Sequence, residues 1–468
     1  MKLQKPNLIY VFADQWRRHT LGCSDCDPVY TPHMDAFSKE GVLCTGCTST
    51  FPLCSPHRAS LLTGKYPLSV GFYTNCKPGI PLRLQDAEYC MGDILKANGY
   101  QTAYIGKYHL DEPEVNHEAC PASGARDWDA FTPPGVRRHG FDYWYSYGTY
   151  DVHLHPHYWR DTPQMIQPEQ WSVEHETDVA IGWLESVDRT KPFAAVVSWN
   201  PPHPPYDEVP QKYLDLYLDS PRKRENVLCG DLRQHTDKSG REMDLDSITR
   251  QYYAAVSGMD EQFGRLLDAV KRLGLEENTV VVLSSDHGDM LGSHGLLGKH
   301  VWYEESIGIP FMVRGPGIPQ GVCGSVFGSQ DQLPTLLGLL GIEIPSCIEG
   351  ADYSQDIRTA CTNNESYTFL CACPGSAAAA DAFAKAGKNP IAAGWRGIRT
   401  ARYTYVIDTG YDPEPHIQRM LYDLKADPLQ KHPVVVENIA ADECAARLEA
   451  ALRQWMRQQK DPFCCHIE

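Results

Sequence analysis

Four short apolar runs, far apart in the chain, each stop abruptly at ionisable or amide residues. Leu8 to Ala13 ends at Asp14-Gln15, and Thr102 to Ile105 ends at Gly106-Lys107-Tyr108-His109. Phe193 to Trp199 runs into Asn200-Pro201-Pro202-His203, and Thr279 to Leu283 into Ser284-Ser285-Asp286-His287-Gly288-Asp289. Runs of this length, bounded by polar groups, predict strands buried on both faces. Helical patterns separate them. The clearest places Tyr252, Ala255, Val256, Met259, Phe263, Leu266, Leu267 and Val270 on one face at spacings of three and four. This alternation predicts a layered α/β domain with a central, mostly parallel sheet flanked by helices. Ligands of such sheets gather outside the carboxyl ends of the strands, so four strands ending in carboxylate, lysine and imidazole groups predict one shared site.

Residues 112–165 and 205–245 are rich in Pro, Gly, aromatic or charged residues and are expected to form long loops over that site. Beyond about residue 365 the texture changes. Strand patterns appear at Thr368 to Cys371 and Thr404 to Ile407, and a last helix carries Leu448, Leu452 and Trp455. The low-complexity stretch Ser376 to Ala380 is a helix start or a loop. The expected organisation is a large catalytic α/β domain over 1–365 and a smaller C-terminal α+β domain over 366–468.

Composition narrows the partners. The chain of 468 residues carries a net charge of −17, which argues against a nucleic-acid surface and requires local cations for any anionic substrate. No apolar run approaches the roughly 18 residues of a membrane span. The first apolar run ends at Asp14 without a small-residue cleavage site, and 17 cysteines are too few for a disulfide scaffold. A cytoplasmic protein is expected, with a homo-oligomer left open.

The most specific segment is Cys54-Ser55-Pro56-His57-Arg58-Ala59-Ser60-Leu61-Leu62-Thr63-Gly64. It is preceded by Thr31-Pro32-His33-Met34-Asp35 and Gly41 and followed by Lys65-Tyr66-Pro67. With Gly106-Lys107-Tyr108-His109, Pro202-His203-Pro204-Pro205-Tyr206, Asp286-His287-Gly288 and Gly298-Lys299, it forms an ordered series. Over roughly residues 6 to 345 the chain resembles a type I, formylglycine-dependent sulfatase of the alkaline phosphatase superfamily. His57 stands where that family more often has Ser.

Hydrolysis of a sulfate monoester needs a nucleophile, positive charge on the sulfuryl oxygens and an acid for the departing alcohol. A thiolate attacking sulfur would leave a stable adduct. The resemblance implies that a sulfatase-maturing enzyme oxidises Cys54 to formylglycine, whose hydrate is the nucleophile, with Arg58 holding it. It also implies a divalent metal at Asp14, Gln15, Cys54, Asp286 and His287. Mostly oxygen donors favour calcium. Many sulfatases have Asp and Asn where Gln15 and His287 stand; this variant set resembles phosphonate monoester hydrolases of the same superfamily and keeps manganese or magnesium open. Lys107 and Lys299 would neutralise charge. His109 and His203 would share the acid and base roles, the family analogy putting His203 and Lys299 on the leaving-group side.

The expected function is therefore hydrolysis of a sulfate ester on a small carbohydrate, with no nucleic-acid or membrane partner. Two alternatives stand beside it: a phosphonate monoester hydrolase or phosphodiesterase with the same site, and a non-catalytic sulfoglycan-binding protein with unmodified Cys54. Three further signals compete. Cys23, Cys26, Cys44 and Cys47 have the spacing of a zinc site, although free thiols fit their place between the first strand and Cys54 better. His153-Leu154-His155-Pro156-His157, among Tyr147, Tyr150, Tyr158 and Trp159, suggests metal binding, but its proline and aromatics fit a substrate-facing loop for a sugar ring, or equally a polar loop with packed aromatics. Trp16-Arg17-Arg18-His19 is expected either to add cations near the mouth or to offer Arg18 and His19 on a solvated helix face.

Overall fold

The structure is a computed structural model; it describes residues 5–24, 26–219, 221, 224–228, 235–236, 242–414 and 416–467. The main sheet contains β1 (Asn7–Asp14), β2 (Val42–Cys44), β3 (Gln101–Lys107), β4 (Tyr143–Tyr147), β5 (Phe193–Pro202), β6 (Thr279–Ser285), β7 (Phe311–Arg314) and β8 (Gly321–Cys323). Their order is β8-β2-β7-β6-β1-β5-β3-β4, and all neighbours are parallel except at β7, which runs against both β2 and β6. The four apolar runs are thus the adjacent strands β6, β1, β5 and β3. Ala13 lies opposite both Ser285 and Trp199, and Gly106 opposite Ser198, so the carboxyl ends of all four strands are level.

Continuous apolarity in β1 follows from burial on both faces. Ile9, Val11 and Ala13 enter one core, and Leu8, Tyr10 and Phe12 the other. Six helices cover the two faces: α1 (Pro32–Glu40), α2 (Cys54–Thr63), α3 (Met91–Ala97), α4 (Ser172–Ser186), α5 (Leu245–Arg272) and α6 (Ser329–Leu340). Helices α1, α4 and α5 pack Phe37, Leu184 and Phe263 into the first core. Helices α2, α3 and α6 pack Leu61, Ile94 and Leu336 into the second. The result is the three-layered α/β architecture expected from the alternation.

A second sheet follows, antiparallel throughout: β9 (Tyr367–Ala372), β10 (Gly394–Thr400), β11 (Tyr403–Gly410), β12 (Gln418–Asp423) and β13 (Val434–Val435), in that order. Helix α7 (Ala377–Lys385) begins after Ser376, whose hydroxyl caps Ala379 N. Helix α8 (Glu443–Gln458) lays Leu448, Leu452 and Trp455 on one face of this sheet. The other face packs Leu370, Trp395 and Val406 with Phe51 and Ile307 of the preceding region.

Two expectations need correction. Residues 112–165 are not loop throughout, because Tyr143–Tyr147 forms the edge strand β4, and Trp144 stacks on Tyr104 of β3 at 5.2 Å. The aromatic run buries against its neighbour although glycine and proline surround it. The segment Trp16-Arg17-Arg18-His19 is no helix with a solvated face: Trp16 is buried, Arg17 pairs with Asp27 at 2.8 Å, and Arg18 pairs with Glu304. Of the expected loop 205–245, part lies outside the described residues.

Glu304 joins three parts of the chain. Its carboxylate accepts from Arg18 and, at 3.1 and 3.2 Å, from Arg399 of β10, while its backbone N–H donates to Gln430 Oε1 at 2.7 Å. Burial pushes this carboxyl up, but Arg399 and Arg18 outweigh it and bring the pKa from 4.5 down to about 2. A folded-state pKa below the unfolded one adds stability that is present above pH 4.5 and lost as pH falls toward 2. Glu304→Gln is expected to cost roughly 3 kcal/mol at neutral pH. In urea unfolding across pH, the gap between wild type and variant should close as pH falls from 4.5 to 2.

Candidate active site

Helix α2 delivers two of the site's groups. Leu53 is extended and Cys54 takes the first helical position; Gly64 ends the helix at φ 65°, a left-handed conformation that favours glycine, and donates its N–H to Ser60 O. All ten residues of α2 are buried. Cys54 and Arg58 are four residues apart, so they share a face one turn from each other. The helix start is tied down by Ser55, whose N–H meets Asn75 Oδ1 at 2.9 Å and whose hydroxyl meets His109 O at 2.7 Å.

The strand ends supply the rest. Cys54 Sγ lies 3.5 Å from Asp14 Oδ1, 3.3 Å from His287 Nε2 and 3.5 Å from Lys299 Nζ. Asp14 Oδ2 is 2.7 Å from Lys107 Nζ and 3.1 Å from Arg58 Nη2. The same guanidinium reaches Asp286 Oδ2 at 3.1 Å and donates Nη1–H to Lys107 O and Ser198 Oγ at 2.7 and 2.8 Å. Asp286 Oδ1 accepts from the backbone N–H groups of Gln15 and His287. Gly288 lets this turn close, since a Cβ there would sit 1.9 Å from Glu305 O.

These contacts set the charges. Burial and Asp14 push the Cys54 thiol up, but Lys299, Lys107 and His287 outweigh them and hold it well below its ordinary value. Burial opposes ionisation of Asp14 too, yet Lys107, His203, Lys299 and Arg58 keep it well below the usual carboxylate range. Burial and the charge of Asp14 raise Asp286 to about 6. His287 goes up despite burial, because Asp286 faces it.

Asp14, Cys54, Asp286 and His287, all buried, bring ligand atoms within 4.8 Å of one another. Two carboxylates crowded out of water, with a soft atom and an imidazole beside them, form a donor set that fits a divalent cation. Gln15 joins through its side chain: its Oε1 accepts from Lys299, and its Nε2 donates to Asp289 Oδ2 at 2.5 Å. Asp289 also accepts from Tyr206 at 2.7 Å.

His109 and His203 make different contacts. His109 is buried, with Nε2 3.0 Å from Cys76 O and Nδ1 without a hydrogen-bond partner. His203 has Nδ1 2.7 Å from Pro204 O and 3.4 Å from Asp151 Oδ1. A cavity of about 680 Å³ is lined by His203, Lys299, Asn75 and Asp151, and by Ser376 and Tyr411 from beyond residue 366. That C-terminal wall, together with Asp151, Asn75, Asn200 and Asp289, was not singled out from sequence. Asn200 lies two residues before the end of β5 and accepts from Lys107 Nζ at 2.9 Å; its place just after the apolar run was the available signal. Asp289 follows Asp286 by three residues and offered a similar clue, whereas loop residues such as Asp151 and Tyr411 offered none.

The competing signals resolve differently. No three of Cys23, Cys26, Cys44 and Cys47 come together as ligands; Cys44 in β2 lies opposite Cys323 in β8. His153 bonds His203 O, His157 pairs with Asp129 at 2.6 Å, and His155 is exposed. The three imidazoles therefore diverge. Tyr147, Tyr158 and Trp159 are buried in the core rather than offered to a ligand; of that group Tyr150 lines the cavity.

A sequence model of the Sulfatase family matches residues 6–342. The chain belongs to the sulfatase family. A second model, N-sulphoglucosamine sulphohydrolase, C-terminal, matches residues 292–460 of this sulfatase. The chain is 34% identical to an endo-4-O-sulfatase of Bacteroides thetaiotaomicron, over 98% of this chain and 93% of the relative. It is 38% identical to an ulvan-active sulfatase of Formosa agariphila, over 92% of this chain and 76% of the relative. A structure solved for a study of glycosaminoglycan metabolism by Bacteroides thetaiotaomicron matches with a TM-score of 0.86 at 33% identity, covering 99% of this chain and 98% of the other. The protein is a type I sulfatase of the alkaline phosphatase superfamily and hydrolyses sulfate esters.

Arg58 offers the sharpest test of the arrangement. Arg58→Lys keeps the charge but not the planar fork that spans both carboxylates. It is expected to lower kcat/KM for an aryl sulfate by roughly 100-fold or more, with a native circular-dichroism spectrum.

Proposed function

We propose that this sulfatase cleaves a sulfate ester from a small carbohydrate, through a formylglycine made from Cys54 by a maturing enzyme. The observation that carries this reading is the position of Cys54 Sγ, in contact with Asp14, His287 and Lys299 beside a cavity that Lys299 also lines. Formylglycine at this position supplies a hydrate oxygen as nucleophile where a thiol would be trapped. Asp14, Gln15, Asp286 and His287, with residue 54, would hold a divalent cation, calcium being favoured by the oxygen donors, and it would supply Lewis-acid polarisation of the ester.

The chain's own residues divide the remaining work. Arg58 fixes Asp14 and Asp286 and so keeps the anionic nest in register. Lys107, steadied by Asp14 and Asn200, and Lys299 put positive charge beside residue 54. His109 gives its Nε2–H to Cys76 O, which leaves Nδ1 as the basic atom, and burial holds it below its ordinary pKa so that it stays neutral and able to take a proton. His203 gives Nδ1–H to Pro204 O with Asp151 behind it, leaving Nε2 to deliver a proton to the departing alcohol. The carbohydrate assignment rests on two relatives named for saccharide sulfates or their positions, and on a cavity of about 680 Å³, in the range of ligands the size of a disaccharide. A 4-O-sulfated sugar is the first substrate to try, given the endo-4-O-sulfatase at 34% identity.

The peptide containing Cys54 should be roughly 18 Da lighter than the unmodified sequence when the chain is made with a maturing enzyme. Cys54→Ala should lose turnover by roughly 10⁴-fold or more. A panel of defined sulfated mono- and disaccharides, an aryl sulfate and an aryl phosphonate decides the substrate. A preference for the phosphonate over every sulfate would overturn the reading.

A further inference from the structure

One cation on the cavity wall has no part in the chemistry above. Lys77 lies in the turn after Cys76, with Nζ 5.9 Å from the centroid of the Trp128 ring, and both residues line the cavity. Of the other basic groups on the cavity, Lys299 is committed to Gln15 and Cys54 and His203 to Pro204 O and Asp151, while burial and the neighbouring Lys77 lower His300 to about 4. Among the described residues no ion pair involves Lys77. Asp127, also on the cavity, makes none with it. Burial alone acts on the Lys77 ammonium, lowering its pKa, with no acid pulling it back.

A partly buried ammonium without a counter-ion is costly unless a ligand brings the charge. Trp128 supplies the complementary surface. Trp128 is 41% exposed on the cavity wall, and its ring centroid lies 6.3 Å from that of His109. The platform therefore begins beside the residues around Cys54. An apolar ring suits one side of a sugar, and the lysine whose ammonium lies over it suits an anion on that sugar.

We propose that Lys77 and Trp128 form a second anion subsite, which takes a carboxylate or sulfate group of the saccharide other than the ester being cleaved. This rests on the carbohydrate reading above and narrows the substrate to a saccharide with at least two anionic groups. The chain carries a net charge of −17, so such a substrate needs dedicated local cations to overcome the general repulsion. Lysine is a compact point charge without the fork that favours one planar anion, so the subsite accepts either group.

The test compares a sulfated disaccharide containing a uronate with its carboxyl-reduced counterpart, and with a carboxyl-free disaccharide bearing a second sulfate. In the mature enzyme, kcat/KM for the uronate or the disulfated sugar is expected to exceed that for the reduced, monosulfated one by about tenfold or more. That ratio should fall close to one in Lys77→Gln and survive largely in Lys77→Arg. The sugar that loses its advantage identifies the second anion as carboxylate or sulfate. An equal ratio in wild type and Lys77→Gln would overturn the subsite while leaving the sulfatase reading intact. Should none of the three sugars be turned over, calorimetric binding to the Cys54→Ala protein decides. A dissociation constant for the doubly anionic sugars about tenfold weaker with Lys77→Gln supports the subsite even though the carbohydrate assignment fails. No change in that constant overturns it.

Discussion

Two carboxylates forced together away from water are the constraint around which the rest is arranged. Asp14 and Asp286 sit at the level ends of neighbouring parallel strands, and both are fully buried. Each would resist ionisation there, and their mutual repulsion adds to the cost. Arg58 offsets this by reaching both with one planar group, and Lys107 adds a second cation on Asp14. The arginine can do so only if α2 lies against the sheet with its first turn over β1 and β6. The same placement puts Cys54, one turn earlier, against Asp14 and His287. The position of Cys54 is thus tied to neutralising the carboxylates.

This explains why a strongly acidic protein can serve an anionic ester. Charge over the whole surface repels the substrate, but the charge that matters is concentrated where the medium is least polar. Lys299, Lys107 and His287 outweigh burial and Asp14 locally and hold the Cys54 thiol well below its ordinary pKa. The second sheet completes the enclosure. It packs through Leu370 and Trp395 onto Phe51 and Ile307, is locked by Glu304 and Arg399, and so carries Ser376 and Tyr411 to the cavity wall.

Strands buried on both faces must be apolar throughout, which is why β1, β3, β5 and β6 were legible as runs and why their ends were legible as polar stops. The Cys54–Gly64 segment was legible for a different reason: Arg58 and Gly64 each occupy a place where one residue type serves, as carboxylate fork and as left-handed helix stop, and Cys54 stands one turn before the fork. The edge strand β4 was not legible, because Tyr143 to Tyr147 is mixed with glycine and proline on both sides and its aromatic side chains could equally have faced a ligand. Arg17 and Arg18 misled for a related reason. Consecutive cations look solvated until Asp27 and Glu304, distant or on another element, prove to be waiting for them.

Local pattern was enough for which apolar runs are strands and which polar residues stand at their ends, because periodicity, burial and turn chemistry act over a few residues. The pairings made by the ionisable groups came only with the packed chain. Arg58 with two carboxylates, His109 with Cys76 O, His203 with Asp151 and Lys77 with Trp128 each join residues from separate segments. Their energies depend on distance and exclusion of water, quantities that no linear order of residues contains.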